Sequence, residues 1–193
     1  MEVGRETRQT RSLKTELKTR GEGDGSDLII EGYFVVFGRE TELWKGAYEE
    51  IAPGACDATL TNDIRALINH ETRLVIGRNK SGTLSLRADN YGLWGSVKIN
   101  PNDTDAMNLY ERVKRGDVDQ CSFGFNVVRE ETDWRDDGTV KWTVMELDLH
   151  EVSVVTFPAY EDTGVQARQA EVAQHRARQM EQRKQNLKAR LKK

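Results

Sequence analysis

Three residues in this sequence have the types needed for acyl transfer through a covalent intermediate. Ser122 lies in Cys121-Ser122-Phe123-Gly124-Phe125. In a strand, the cysteine and both phenylalanines point one way, and Ser122 and Gly124 point the other. A serine two residues from a position without a side chain leaves room for a second backbone to approach its hydroxyl, which a nucleophile attacking a peptide carbonyl requires. His70 closes an alternating run in which Ile64, Ala66 and Ile68 share its face, so it is expected at the rim of the core as a general base. Glu151 alternates with Leu147, Leu149, Ser153 and Val155. A carboxylate among apolar neighbours is costly unless paired, and an imidazole Nδ1–H would pair it and fix the tautomer. Each residue also has an ordinary reading: a small strand residue at the surface, a hydrogen-bonded structural histidine, and a buried ion pair to arginine. His150, next to Glu151, competes for the third role, whereas His175 lies in a basic tail and is a poor candidate.

These residues need a framework of strands. Leu28–Phe37 reads as a nearly continuous β-branched and aromatic run, a buried strand. Thr83–Ala88 and Leu93–Ile99 flank the turn-prone Asp89-Asn90-Tyr91-Gly92. Cys121–Val128 and Glu146–Thr156 carry the candidate nucleophile and carboxylate, and a hairpin around Asp136-Asp137-Gly138 lies between them. One helix is expected from about Pro101 to Arg115, with Asn100 as N-cap and Gly116 just past its end. Its apolar stripe would be Ala106, Leu109, Tyr110 and Val113. Six or more strands with one or two helices imply a mainly β (α+β) domain, an antiparallel barrel or sandwich.

Length and composition limit the alternatives. A chain of 193 residues suggests one domain with appendages. Residues 1–26 hold few large apolar side chains and end in Gly-Glu-Gly-Asp-Gly-Ser, so they read as a disordered leader. The folded domain is expected over 27–164. Residues 165–193 carry nine basic and two acidic side chains, about +7, leaving about −10 on the first 164 residues of a chain whose net charge is −3. The tail reads as a basic helical or disordered arm suited to an acidic partner, and the acidic body argues against a nucleic-acid surface. No apolar run approaches a membrane span, and no h-region marks the N-terminus, so a cytosolic setting is expected. Cys56 and Cys121 form no CxxC pair and are expected to be reduced, and no histidine-carboxylate cluster has a metal-ligand spacing. No metal or organic cofactor is implied.

Six segments in order resemble one family: E-G-Y-F-V-V-F-G, E-E-I-A-P-G-A, I-N-H-E with I-G-R downstream, G-T-L-S-L-R-A-D-N-Y-G-L, K-R-G-D-V-D-Q-C-S-F-G-F and L-H-E-V-S-V-V-T-F-P-A-Y. They run from Leu28 to Tyr160 and are similar to the prohead proteases of tailed bacteriophages, relatives of the herpesvirus assemblins. The resemblance implies a compact β-barrel surrounded by helices. It implies a serine endopeptidase with Ser122 as nucleophile, His70 as base and Glu151 as third member; His150 remains the alternative to Glu151. It further implies cleavage of major capsid protein and scaffold segments, and of the chain itself, inside an assembling procapsid in the host cytoplasm. A homodimer or higher oligomer would fit, with no nucleic-acid or membrane partner. The competing expectation is a non-enzymatic capsid-assembly or scaffold module docking through its basic tail.

Overall fold

The computed structural model describes residues 5–21, 27–157 and 162–191. Along the chain run β1 (Arg5–Lys14), β2 (Lys18–Arg20), β3 (Ile29–Val36), β4 (Thr41–Trp44), β5 (Ala47–Ile51), β6 (Arg65–Ile68), β7 (Glu71–Arg78), β8 (Leu84–Ala88) and β9 (Gly92–Lys98). Helix α1 (Thr104–Arg115) follows, then the long strands β10 (Gln120–Trp134) and β11 (Val140–Val155) and helix α2 (Asp162–Leu191). The chain divides into two compact units, Met1–Tyr160 and Glu161–Lys193. The second contains α2, and none of the described helices is long and apolar enough to cross a membrane.

The first unit is built from two sheets. One follows the order β1-β10-β11-β5-β4, with β6 also paired to β11 and β7 to β6; the other follows β2-β3-β9-β8. Alternation produces a shared interior. Ile30 and Phe34 of β3, Leu93 and Val97 of β9, and Phe123, Phe125, Leu149 and Val152 of β10 and β11 belong to one buried cluster. Each such side chain contributes roughly 1.5–3 kcal/mol on burial. The helix stripe behaves as its spacing requires, since Ala106, Leu109, Tyr110 and Val113 are all buried.

Three expectations are corrected here. Among the described residues neither sheet closes on itself, so the compact antiparallel barrel is not the arrangement found, and β11 pairs in parallel with both β5 and β6. Alternation sets which face of a strand is buried, but not which strand it pairs with or whether the last strand returns to the first. The helix starts later than expected: Asp103 is the N-cap, and its carboxylate accepts from the backbone N–H groups of Asp105 and Ala106, while Asn100 supports only the preceding turn. Gly116 ends the helix in the left-handed conformation as expected.

The third correction concerns the segment read as a disordered leader. Residues 5–14 form β1, paired antiparallel along β10, and residues 18–20 form β2 on the edge of β3. Local composition gives this segment too little apolar surface to fold alone. Long-range partners supply what it lacks: the ladder to β10, and a bidentate ion pair from Arg11 to Glu49 at 2.6 and 3.0 Å.

Candidate active site

The site forms where β10, β11 and the β6–β7 turn meet. Cross-strand pairs set its floor: Ser122 lies opposite Ser153, and Gly124 lies opposite Glu151. The next pair is Phe125 with Leu149, so His150 is an extra residue in β11. That bulge explains how a carboxylate can follow Leu147 and Leu149 without entering the core. Before it, Leu147 and Leu149 face Val127 and Phe125; after it, Glu151 and Ser153 share the face of Gly124 and Ser122. The expectation that Leu147, Leu149 and Glu151 share one face is therefore corrected by one inserted residue. The ring of His150 bonds Asn126 Oδ1 through Nε2 at 3.1 Å, not the catalytic candidates.

His70 arrives by a route alternation could not show. It does not continue β6. Asn69 and His70 are the two central residues of a tight turn in which Ile68 pairs with Glu71, and both have left-handed backbones, with φ of 50° and 62°. Two-residue hairpin turns require this conformation, which costs a non-glycine residue on the order of 1 kcal/mol. The turn is held down from β11. The Asn69 N–H donates to the Val154 carbonyl at 3.0 Å, the Asn69 Oδ1 accepts from the Thr156 N–H at 2.9 Å, and the His70 N–H donates to Ser153 Oγ at 3.2 Å.

These contacts bring His70 and Glu151 together, with Nδ1 of the imidazole 2.7 Å from Glu151 Oε1. Ser153 Oγ donates to the other carboxylate oxygen, Oε2, at 2.6 Å, and Arg8 Nη2 donates to Oε1 at 3.0 Å. Burial pushes the Glu151 carboxyl upward in pKa. The hydrogen bonds from His70 and Ser153, together with the charge of Arg8, outweigh it and hold the group below the usual carboxylate range. With Nδ1–H donating to a carboxylate, the neutral imidazole presents Nε2 as an acceptor. That nitrogen is buried and makes no hydrogen bond.

Ser122 is fully buried on the neighbouring strand. Its hydroxyl donates to the Arg11 carbonyl of β1 at 3.0 Å rather than to His70. The structure thus joins His70 and Glu151 directly, and holds Ser122 one cross-strand position away with its proton engaged elsewhere. A cavity of about 310 Å³, lined by Arg8, Asp63, Arg65, Leu67, Thr72, His150 and Glu151, opens beside the carboxylate.

Gly124 gives the carboxylate its place. A Cβ there would collide with Glu151 Oε1 and come within 2.8 Å of Arg8 Nη2. Gly124→Ala is expected to displace the carboxylate by about an ångström and to lower activity about 10²-fold. The check is the turnover of the variant beside that of the wild type, with circular dichroism to show that the fold persists. The two thiols take no part in this cluster. Cys56 and Cys121 are both free and buried, and burial pushes the Cys56 thiol up to about 12.

Sequence reasoning missed two members. Ser153 shares the Glu151 face at a spacing of two, so alternation could have included it. Arg8 lay in the segment read as a leader.

Comparison with known proteins identifies the family. The family model described as caudovirus prohead serine protease matches residues 14–178. The prohead protease of Enterobacteria phage HK97 is 32% identical over 158 residues, covering 80% of this chain and 65% of that protein. The chain therefore matches somewhat less than two thirds of the length of this curated relative. Among solved structures, the capsid assembly protease of bacteriophage T4 matches with a TM-score of 0.46 and 12% identity, over 78% of this chain and 99% of that one. With the family model matching most of the chain, including the strands and the turn that carry Ser122, His70 and Glu151, the chain belongs to the caudovirus prohead serine protease family.

Proposed function

We propose that this chain is a serine endopeptidase that cuts capsid-protein and scaffold segments, and itself, inside an assembling procapsid. The observation that carries this reading is the buried His70–Glu151 pair, 2.7 Å apart, with the second imidazole nitrogen buried and making no hydrogen bond. In the proposed reaction the Ser122 hydroxyl leaves the Arg11 carbonyl and gives its proton to His70 Nε2 as Oγ attacks a peptide carbonyl carbon. Glu151 keeps Nδ1 protonated and stabilises the imidazolium. His70 then passes the proton to the departing amine as the C–N bond breaks, and water hydrolyses the ester at Ser122 by the same base. Glu151 takes the third role in this reading because it holds the His70 ring, whereas the His150 ring is bonded to Asn126.

The same reading assigns catalysis to residues 27–164 together with β1, which supplies Arg8 to the cluster, on a herpesvirus-protease-like plan. The basic tail, 165–193, becomes an arm for docking to an acidic partner or to a second copy. Support comes from family membership and from the order in which β3, the N-H-E turn and the S-F-G-F strand follow one another. A fluorophosphonate probe followed by peptide mapping tests the nucleophile. The expected result is a single adduct on Ser122, lost in His70→Ala. An adduct on another serine, or one that survives His70→Ala undiminished, would overturn the assignment.

A further inference from the structure

Strand β1 is an extended segment paired with the strand that carries Ser122. It runs antiparallel along β10 with Ser12 opposite Ser122, Arg11 opposite Phe123 and Gln9 opposite Phe125. Its Arg11 carbonyl is the group that receives the Ser122 hydroxyl, at 3.0 Å. Two of its side chains grip two buried carboxylates: Arg8 reaches Glu151, and Arg11 reaches Glu49.

The Arg11 contact is the more elaborate. Its Nε and Nη2 take the two oxygens of Glu49 at 2.6 and 3.0 Å, Nη2 also donates to Gln9 Oε1, and Nη1 donates to the Thr10 carbonyl. The guanidinium carbon stands 5.8 Å from the centroid of the Phe125 ring, a cation–π distance. The side chains of Arg11 and Glu49 are 14% and 4% exposed, so this pair is made out of water. Here the charge is turned inward, onto a carboxylate beside the strand of the nucleophile.

We propose that β1 occupies the substrate's place as an internal peptide, and that Glu49 selects arginine or lysine in the residue whose carbonyl meets Ser122. Arginine supplies the fork that matches both carboxylate oxygens, and lysine supplies a point charge. A peptide with an apolar or acidic residue there would forfeit both charge-assisted bonds while Glu49 stays buried, so selectivity comes from rejection as much as attraction. A second consequence follows: β1 must leave β10 before another peptide can enter, which holds the enzyme back until a competing strand is present at high local concentration.

This inference rests on Ser122 being the nucleophile, and the test keeps the two apart. The rate of fluorophosphonate labelling at Ser122 is measured on the full chain, wild type beside Arg11→Gln, with Arg11→Lys as a milder variant should the first not fold. Loosening β1 should speed labelling by roughly tenfold or more, the scale of one buried charge-assisted pair. The 10-residue peptide copying Arg5–Lys14 should then protect Ser122 of Arg11→Gln in trans, while the same peptide carrying Arg11→Leu should not. In the double variant Arg11→Gln, Glu49→Gln the two peptides should protect alike. Equal labelling rates in wild type and both Arg11 variants, or equal protection by both peptides with Glu49 intact, would overturn the proposal while leaving Ser122 as nucleophile. Absence of any Ser122 adduct in every folded variant would instead remove the nucleophile, and this inference with it.

Discussion

His70→Ala is expected to lower peptide-bond hydrolysis by about 10²–10⁴-fold, the usual contribution of a positioned general base. The imidazole is the only group that the cluster offers to take the Ser122 proton: Glu151 is engaged by His70, Ser153 and Arg8, and its lowered pKa makes it a poor base near neutrality. The loss should appear in kcat rather than KM, because His70 acts on the proton in flight rather than on the bound peptide. The variant should not unfold. Removing the ring leaves Glu151 with its bonds to Ser153 and Arg8, and position 70 sits in a left-handed turn that tolerates a small residue at a cost on the order of 1 kcal/mol. His70→Gly should be equally inactive yet more stable than His70→Ala, because glycine adopts that backbone without strain. Thermal unfolding of the two variants beside kcat measurements checks both halves.

Glu151→Gln is expected to cost activity on a similar scale, on the order of 10³-fold or more, for a different reason. The amide can offer His70 a donor instead of an acceptor, which favours the tautomer with Nε2 protonated and unable to receive the serine proton. Stability should respond as well, with a definite pH dependence. Glu151 has a lowered pKa in the folded chain, so its ionised form is favoured by folding. That contribution is complete above the unfolded carboxyl value of about 4.3 and is lost as pH falls through the lower folded value. Wild type should therefore exceed Glu151→Gln in stability near neutral pH, and the gap should narrow below about pH 4. Denaturant midpoints of both proteins across that range provide the check; a gap independent of pH would mean that the carboxylate charge is not what the site stabilises.

Much of this was legible in the sequence because it depends on local rules. β3 announces itself by β-branched and aromatic residues, β8 and β9 by apolar residues on either side of a turn-prone segment, and α1 by a stripe whose four residues are all buried. Ser122 and Gly124 face away from Cys121, Phe123 and Phe125, as a period of two requires. What escaped depends on single residues or distant partners. The left-handed Asn69-His70 turn ends β6 two residues before its alternation stops looking like a strand. The bulge at His150 changes the face of β11 without leaving a proline or glycine as a marker. β1 is polar except for Leu13, and its order comes from β10, Glu49 and Glu151, which lie from 38 to 143 residues away in the side-chain contacts. Sheet closure was likewise a question of which strand meets which, and side-chain pattern is silent on that.

The strand bearing Ser122 has β11 on one side, with Glu151 on that strand and His70 held against it, and β1 on the other, holding the serine proton on a carbonyl. The most direct test of the central claim is the intact mass of capsid-protein precursor co-assembled with wild type, with Ser122→Ala and with His70→Ala. The account predicts that the precursor shortens at defined positions with wild type, and keeps its full mass with either variant. Shortening at the same positions and to the same extent with Ser122→Ala would contradict it.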